Sequence, residues 1–398
     1  QPLSNTQTHS ATRLSTAELK FIGRMSTVSV SRMFGLFMVL PVLALWADDF
    51  ANATPILVGI AVGGYGVTQA LLQIPYGAVS DRLGRAPVIV FGLSVFLAGS
   101  VIAATASGIW GVIVGRLLQG AGAVSATLSA WLADRTRDAV RTPAMAIFGA
   151  SIGASFLLAL VLGPLGSALL GVRGLFWLSA ALGGLGIALV LPDLFRQEEN
   201  QPVIREATPW DWRVLTRPEL LALDAAVLVL HALLTAFFVL APYLLADRIG
   251  YPEAELWKVY AITLAASLPI AIPMIAFDTR GDAKFTLWSL ALIVVGFALL
   301  WHAQSVYEFG SGCCLFFAGF SYLEASLPAQ ISRRADPAQR GACIGLFASA
   351  QFLGAFVGAT AAGIFIDRAG PATGILALTL VVCLWLLAAG VKSLRTGA

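Results

Sequence analysis

The side chains able to do chemistry in this 398-residue chain are few, and each stands alone in apolar surroundings. Glu324 sits in Phe320-Ser321-Tyr322-Leu323-Glu324-Ala325-Ser326-Leu327-Pro328, and Arg32 in Ser29-Val30-Ser31-Arg32-Met33-Phe34-Gly35. Arg116 heads Arg116-Leu117-Leu118-Gln119-Gly120-Ala121-Gly122, and His231 follows an unbroken apolar run from Ala225. An ionisable group inside an apolar run is expensive and normally faces a cavity or a partner. Removal from water favours the neutral form of a carboxyl and of an imidazole, so such groups suit the holding and release of protons. Glu324 is the first choice for a proton or substrate site, with a structural ion pair or hydrogen bond as its alternative. His231 and Asp224 are further candidates, a hydrogen-bonded packing histidine being the alternative for His231. Tyr65, Gln69 and Gln73 recur every fourth residue, which puts them on one helix face. That face reads as a cavity wall, or else as a seam onto another helix. Bond-making chemistry is not indicated. No nucleophile–base constellation is visible, and Cys313, Cys314, Cys343 and Cys383 fall inside apolar runs without metal-ligand spacing.

Composition says what must position these groups. Hydrophobic residues make up 58% and charged residues 12%, against about 25% charged in an ordinary soluble domain. Such a chain cannot cover itself with a water-soluble surface, so it is an integral membrane protein. A spanning helix needs about 20 apolar residues. Breaking the apolar runs at charged or Pro/Gly-rich turns yields twelve spans: 23–46, 56–80, 86–106, 109–133, 143–166, 172–192, 219–246, 256–277, 285–303, 307–332, 341–366 and 371–391. The runs are too long for the alternating strands of a membrane barrel. The expected fold is all-α, with twelve transmembrane helices in two pseudo-symmetric six-helix lobes.

The domains follow: a tail at 1–22, a lobe at 23–192, a linker at 193–218, a second lobe at 219–391 and a tail at 392–398. Within the linker, Trp210-Asp211-Trp212-Arg213 reads as a short interfacial segment. The first 20 or so residues are polar and carry no cleavable signal pattern. Nineteen of the 25 Lys and Arg residues fall on the side of the termini and four on the other, with Arg32 and Arg116 inside spans. The positive-inside rule makes the arginine-rich face, and both termini, cytoplasmic. The halves echo each other, since Asp278-Thr279-Arg280-Gly281-Asp282 lies 197 residues after Asp81-Arg82-Leu83-Gly84-Arg85. Gly59/Gly63, Gly149/Gly153 and Gly354/Gly358 are spaced for close helix packing.

Gly77-Ala78-Val79-Ser80-Asp81-Arg82-Leu83-Gly84-Arg85 is a charged turn in a chain that avoids charge. Its G-x-x-x-D-R-x-G-R spacing resembles the loop between the second and third helices of major facilitator superfamily transporters. Asp81 is placed near the start of span eleven, whose free N–H groups stabilise a carboxylate. Asp134, at the end of span four, is the best partner for Arg85. By resemblance, Gly77, Asp81, Arg82, Gly84, Arg85 and Asp134 form a latch between the lobes; an ordinary basic turn is the alternative. Arg116–Gly122 resembles the R-x-x-Q-G-x-G motif of proton-coupled members, which implies a coupling role, with snorkelling to the outer interface as the alternative. Gly163-Pro164-Leu165-Gly166 resembles in part the antiporter motif g-x-x-x-G-P-x-x-G-G, but Ala159 replaces its first glycine and Ser167 follows Gly166. A proline bend explains these residues too.

Longer stretches, Met33–Leu43, Gln73–Gly77, Leu256–Tyr260, Tyr322–Pro328 and Ser349–Gly354, resemble the YajR-type branch of bacterial drug/proton antiporters. The resemblance implies a multi-pass protein of the bacterial inner membrane, monomeric, that exports small amphipathic or drug-like compounds by alternating access. Its partners would be a small-molecule substrate, protons and the lipid bilayer, with no nucleic acid. It would use no cofactor and no metal, only the proton gradient. A proton symporter or facilitator importing a small polar solute is the alternative within transport. A membrane sensor or enzyme is the alternative outside it.

Overall fold

The computed structural model describes residues 14–44, 46, 50–195, 211–252, 255–278, 282–336 and 339–396. Nearly all of them are helical, because a segment in lipid must satisfy its own backbone N–H and C=O groups. Among the described residues nine helices are long and apolar enough to cross a membrane. One of these, spanning residues 139–195, holds two spans. They part at Gly171, where φ is 67° and ψ 171°, a break that glycine makes at little cost. Thr16–Phe37 and Val306–Arg334 have the length but carry Arg32 and Glu324 among other polar groups. With these, the described residues are consistent with twelve spans in two lobes.

Several boundaries differ from the sequence expectation for local reasons. Span one begins at Thr16, inside the expected tail, because Ser15 and Glu18 cap it reciprocally. The Ser15 hydroxyl accepts the Glu18 N–H at 3.2 Å, and the Glu18 carboxylate accepts the Ser15 N–H at 2.8 Å. The helix then stops at Phe37 and continues as turns over 38–44, where Pro41 lacks a donor. Span four is two helices, Ile109–Ala121 and Ser125–Asp134, broken at Gly122. Of the linker, Leu191–Phe195 and Trp212–Leu215 are short helical pieces. Its residues 196–210, Trp210 included, lie outside the described residues. The last helix, Pro371–Thr396, runs through most of the expected C-terminal tail.

The lobes meet along span two, Pro55–Leu83, and span eleven, Arg340–Ala369. Gly59, Gly63 and Gly66 lie directly on the backbone of Ala359, Phe356 and Phe352. Tyr65 meets Phe352 edge-on at 6.4 Å. Toward the arginine-rich face the seam continues through Ser349 Oγ to the Ala70 carbonyl at 2.9 Å and Gln73 Nε2 to the Gly345 carbonyl at 3.2 Å. Beyond that the helices separate, and a methyl group added at Gly77 or Gly341 would meet nothing within 4 Å. The contact between spans two and eleven is therefore tight toward the arginine-poor face and loosens toward the arginine-rich one. Gly354 and Gly358 pack on Leu228 and Ala232 of span seven, whereas Gly149 and Gly153 face open space and make no helix contact. Large apolar side chains such as Trp110, Trp288 and Leu384 are exposed around the outside, as a lipid-facing belt requires.

Candidate functional site

Three side chains from three helices of the second lobe converge between the lobes. Span seven, Pro218–Tyr243, supplies His231; span ten, Val306–Arg334, supplies Glu324; and span eleven supplies Gln351. His231 Nδ1 lies 3.2 Å from the Val227 carbonyl, one turn back, so that nitrogen carries the proton. Nε2 then accepts from Gln351 Nε2 at 2.7 Å, and the same amide donates to Glu324 Oε1 at 3.4 Å. Glu324 Oε2 is 3.5 Å from His231 Nε2. Two lone pairs at that separation repel unless a proton lies between them. His231 Nε2 has a single lone pair, so a proton shared with Glu324 takes the place of the Gln351 N–H there, and the Gln351 amide must turn away as the pair is protonated. The Glu324 side chain is 39% exposed and His231 11%, so the carboxyl is the open end. Asp224 lies two turns from His231 toward the arginine-rich face, with Oδ1 enclosed and without a hydrogen-bond partner. No bond connects it to Glu324 or His231. Phe320, one turn before Glu324, packs on His231 at 6.0 Å and reaches Phe156 of the first lobe at 6.4 Å.

The first lobe presents two buried arginines. Arg116 is fully buried, which excludes snorkelling to the outer interface. It donates to the carbonyls of Leu36 (3.2 Å), Ala61 (3.2 Å) and Val62 (3.1 Å) and to Gln119 Oε1 (2.8 Å). Its guanidinium also lies 4.6 Å from the centre of the Tyr65 ring. Arg116 thus ties span four to spans one and two. Arg32 donates to Gln69 Oε1 at 2.8 Å and contacts Ser125 Oγ at 3.4 Å. It also lies 3.5 Å from the Gln119 carbonyl, next to the break in span four. The stripe Tyr65, Gln69 and Gln73 is buried rather than open: one member covers Arg116, one holds Arg32, and one crosses to span eleven. It is a packing seam, not a free cavity wall. Gly163 lies against the Met38 backbone, and the helix continues through Pro164, whose carbonyl accepts from Ser167 at 2.9 Å. Gly166 rests on Leu175 of span six.

At the arginine-rich face, Arg85 is buried and pairs with Asp81 at 2.6 Å and Asp134 at 3.0 Å. Ser80 joins them, accepting from Arg85 at 2.5 Å and donating to the Gly77 carbonyl at 2.7 Å. Gly84 turns the chain at φ 89°, and Arg82 is exposed. Asp81 does not cap span eleven here; its side chain is 51% exposed and turned to Arg85. In the second lobe's echo Tyr322 donates to Asp278 Oδ2 at 2.6 Å and Asp282 N to Oδ1 at 2.8 Å, while residues 279–281 lie outside the described residues. Sequence reasoning missed Tyr322 and Gln351 as partners; each stood only as a polar residue in an apolar run. It also missed Arg137, whose guanidinium donates to Glu18 at 2.9 and 3.0 Å. That contact ties the start of span one to the turn after span four.

Paired helical lobes around an interior that holds a carboxyl–imidazole pair and two buried arginines fit a membrane transport protein, and the family match makes it one. The chain belongs to the Major Facilitator Superfamily, whose family model matches residues 25–359. It is 42% identical over 345 residues to the inner membrane transport protein YajR of Escherichia coli, covering 85% of this chain and 76% of that protein. It is 27% identical to the class G tetracycline resistance protein of Vibrio anguillarum, covering 81% and 84%. Among solved structures, a POT family transporter in complex with 5-aminolevulinic acid superposes with TM-score 0.75 at 13% identity, covering 94% and 96%. That likeness speaks to the fold alone.

Proposed function

We propose that the protein is a proton-driven antiporter of the bacterial inner membrane that exports small amphipathic or drug-like compounds by alternating access. It works as a monomer without a cofactor, and its arginine-rich face and both termini lie in the cytoplasm. The observation that carries this reading is the Glu324–His231–Gln351 trio. It holds one removable proton in the second lobe, beside the aromatic seam to the first. A drug-like substrate is supported by the likeness to a tetracycline resistance protein, and the inner membrane by the likeness to an inner membrane transport protein of Escherichia coli. Protonation shifts the lobe equilibrium only through unequal interaction with its two states. In one state Glu324 faces the space that opens to the cytoplasm; in the other it exchanges its proton on the far side. A pH unit is worth about 1.4 kcal/mol, enough to bias two states tenfold.

The test is transport in proteoliposomes under an imposed pH gradient, with substrate and proton fluxes followed together. Opposed movement is expected, and parallel movement overturns antiport in favour of the symport alternative. Glu324→Gln should abolish proton-driven flux while the purified protein stays monodisperse. Retained coupling in that variant removes Glu324 from the mechanism.

A further inference from the structure

We propose that the first-lobe half of the site is a receptor for an organic anion, with Arg32 and Gln69 taking its carboxylate, sulfonate or phosphonate group. This deepens the transport reading and rests on it, because the ligand meant is the transported solute.

The contrast between two equally buried arginines carries the inference. Arg116 places Nε, Nη1 and Nη2 on four acceptors between 2.8 and 3.2 Å and has no enclosed nitrogen left over. Arg32 is 1% exposed, yet it has one short bond, to Gln69. Its contacts with Ser125 Oγ and the Gln119 carbonyl, at 3.4 and 3.5 Å, sit at the long limit for hydrogen bonds, and Met33 Sδ at 3.4 Å is a weak acceptor. Arg32 Nε is buried with no partner, and so is Nε2 of the Gln69 amide whose oxygen it grips. The Ser29 hydroxyl, one turn before Arg32, is likewise enclosed and unpartnered. Among the described residues no carboxylate pairs with Arg32.

A buried cation without a counter-charge and with unspent donors is costly to maintain. The unspent groups on Arg32 and Gln69 are N–H donors, so the group that offsets the cost must accept hydrogen bonds and carry negative charge. A planar guanidinium fork favours a two-oxygen group. Aromatic rings supply apolar surroundings: Phe96 stands 5.7 Å from the guanidinium, and Phe37, further along span one, meets Phe156 edge-on at 5.2 Å, next to Phe320 of the opposite lobe. The anion is then held by the first lobe and the proton by the second. The two need not compete for one group, and coupling runs through the lobes' closure.

The experiment uses the full chain in phosphatidylethanolamine/phosphatidylglycerol nanodiscs, with empty nanodiscs as the baseline. The probes are 2-naphthoate and 2-naphthylmethylamine, which share a ring system and differ in charge. Saturable binding of naphthoate and not of the amine is expected, and Arg32→Gln should weaken it about tenfold or more, as the loss of a charged hydrogen bond implies. Should Arg32→Gln fail to fold, Arg32→Lys and Gln69→Ala decide, each expected to weaken naphthoate binding. Absence of naphthoate binding to the wild type overturns the proposal. So does unchanged binding in folded Arg32→Lys and Gln69→Ala, or preference for the amine. The coupling reading fails separately, when Glu324→Gln still transports against a proton gradient.

Discussion

At the scale of single residues, the same side chain takes two roles according to what its neighbours offer. Arg116 closes its donors on main-chain carbonyls of spans one and two and on Gln119, so its charge serves packing inside the first lobe. Arg116→Met should lower stability by about 3 kcal/mol, because the acceptors it serves lose their partner and the lobe loses a tie. The measurement is the midpoint of thermal unfolding in detergent, and an unchanged midpoint refutes the packing role. The sequence marked both arginines by their expense in an apolar run, but it could not separate them. The main-chain acceptors lie 54 to 80 residues away from Arg116, on other helices. Gln351 was invisible as a site residue for the same reason. Its partners His231 and Glu324 are 120 and 27 residues distant.

At the scale of elements, helix contacts in lipid depend on how closely backbones approach, since lipid supplies no hydrophobic drive between helices. Three glycine pairs had the same spacing in the sequence, yet only Gly59/Gly63 and Gly354/Gly358 meet another helix. Gly66, one turn beyond Gly63, lies on the Phe352 carbonyl where the lobes close. A valine there cannot fit without moving span two from span eleven. Gly66→Val should therefore favour the arrangement open on the arginine-poor face. In a cysteine-free background, a cysteine at Leu57 should label faster with maleimide applied from that face, and unchanged labelling counts against this assignment of the seam. The break of span four at Gly122 was likewise not legible in advance. Its consequence is local: the Gln119 carbonyl becomes available to Arg32.

For the whole molecule, two lobes that meet on one face and part on the other form a switch only if the open face can also close. Asp81, Arg85 and Asp134 form a charged cluster at the open end, with Asp81 half exposed and unattached to span eleven. A latch reading requires that Asp81 approach Gly341 during the cycle. Asp81→Cys with Gly341→Cys should then cross-link under oxidation, stop transport and recover with reductant. A cross-linked protein that still transports rules the latch out. The first lobe pairs Asp81 with Arg85, and in the second the Tyr322 hydroxyl donates to Asp278.

The sequence by itself determined the membrane class, the approximate spans and the residues expensive enough to matter. Those properties depend on composition within windows of about 20 residues, and loop charge is a simple sum along the chain. Only the tertiary structure decided that Tyr65, Gln69 and Gln73 form a seam, that Gln351 bridges His231 and Glu324, and that Arg32 is left with donors to spare. Those outcomes depend on which helix faces meet, and that is a property of packing between segments tens to hundreds of residues apart. The face on which the interior opens belongs to the same category, because it is set by the contact between spans two and eleven and not by either span alone.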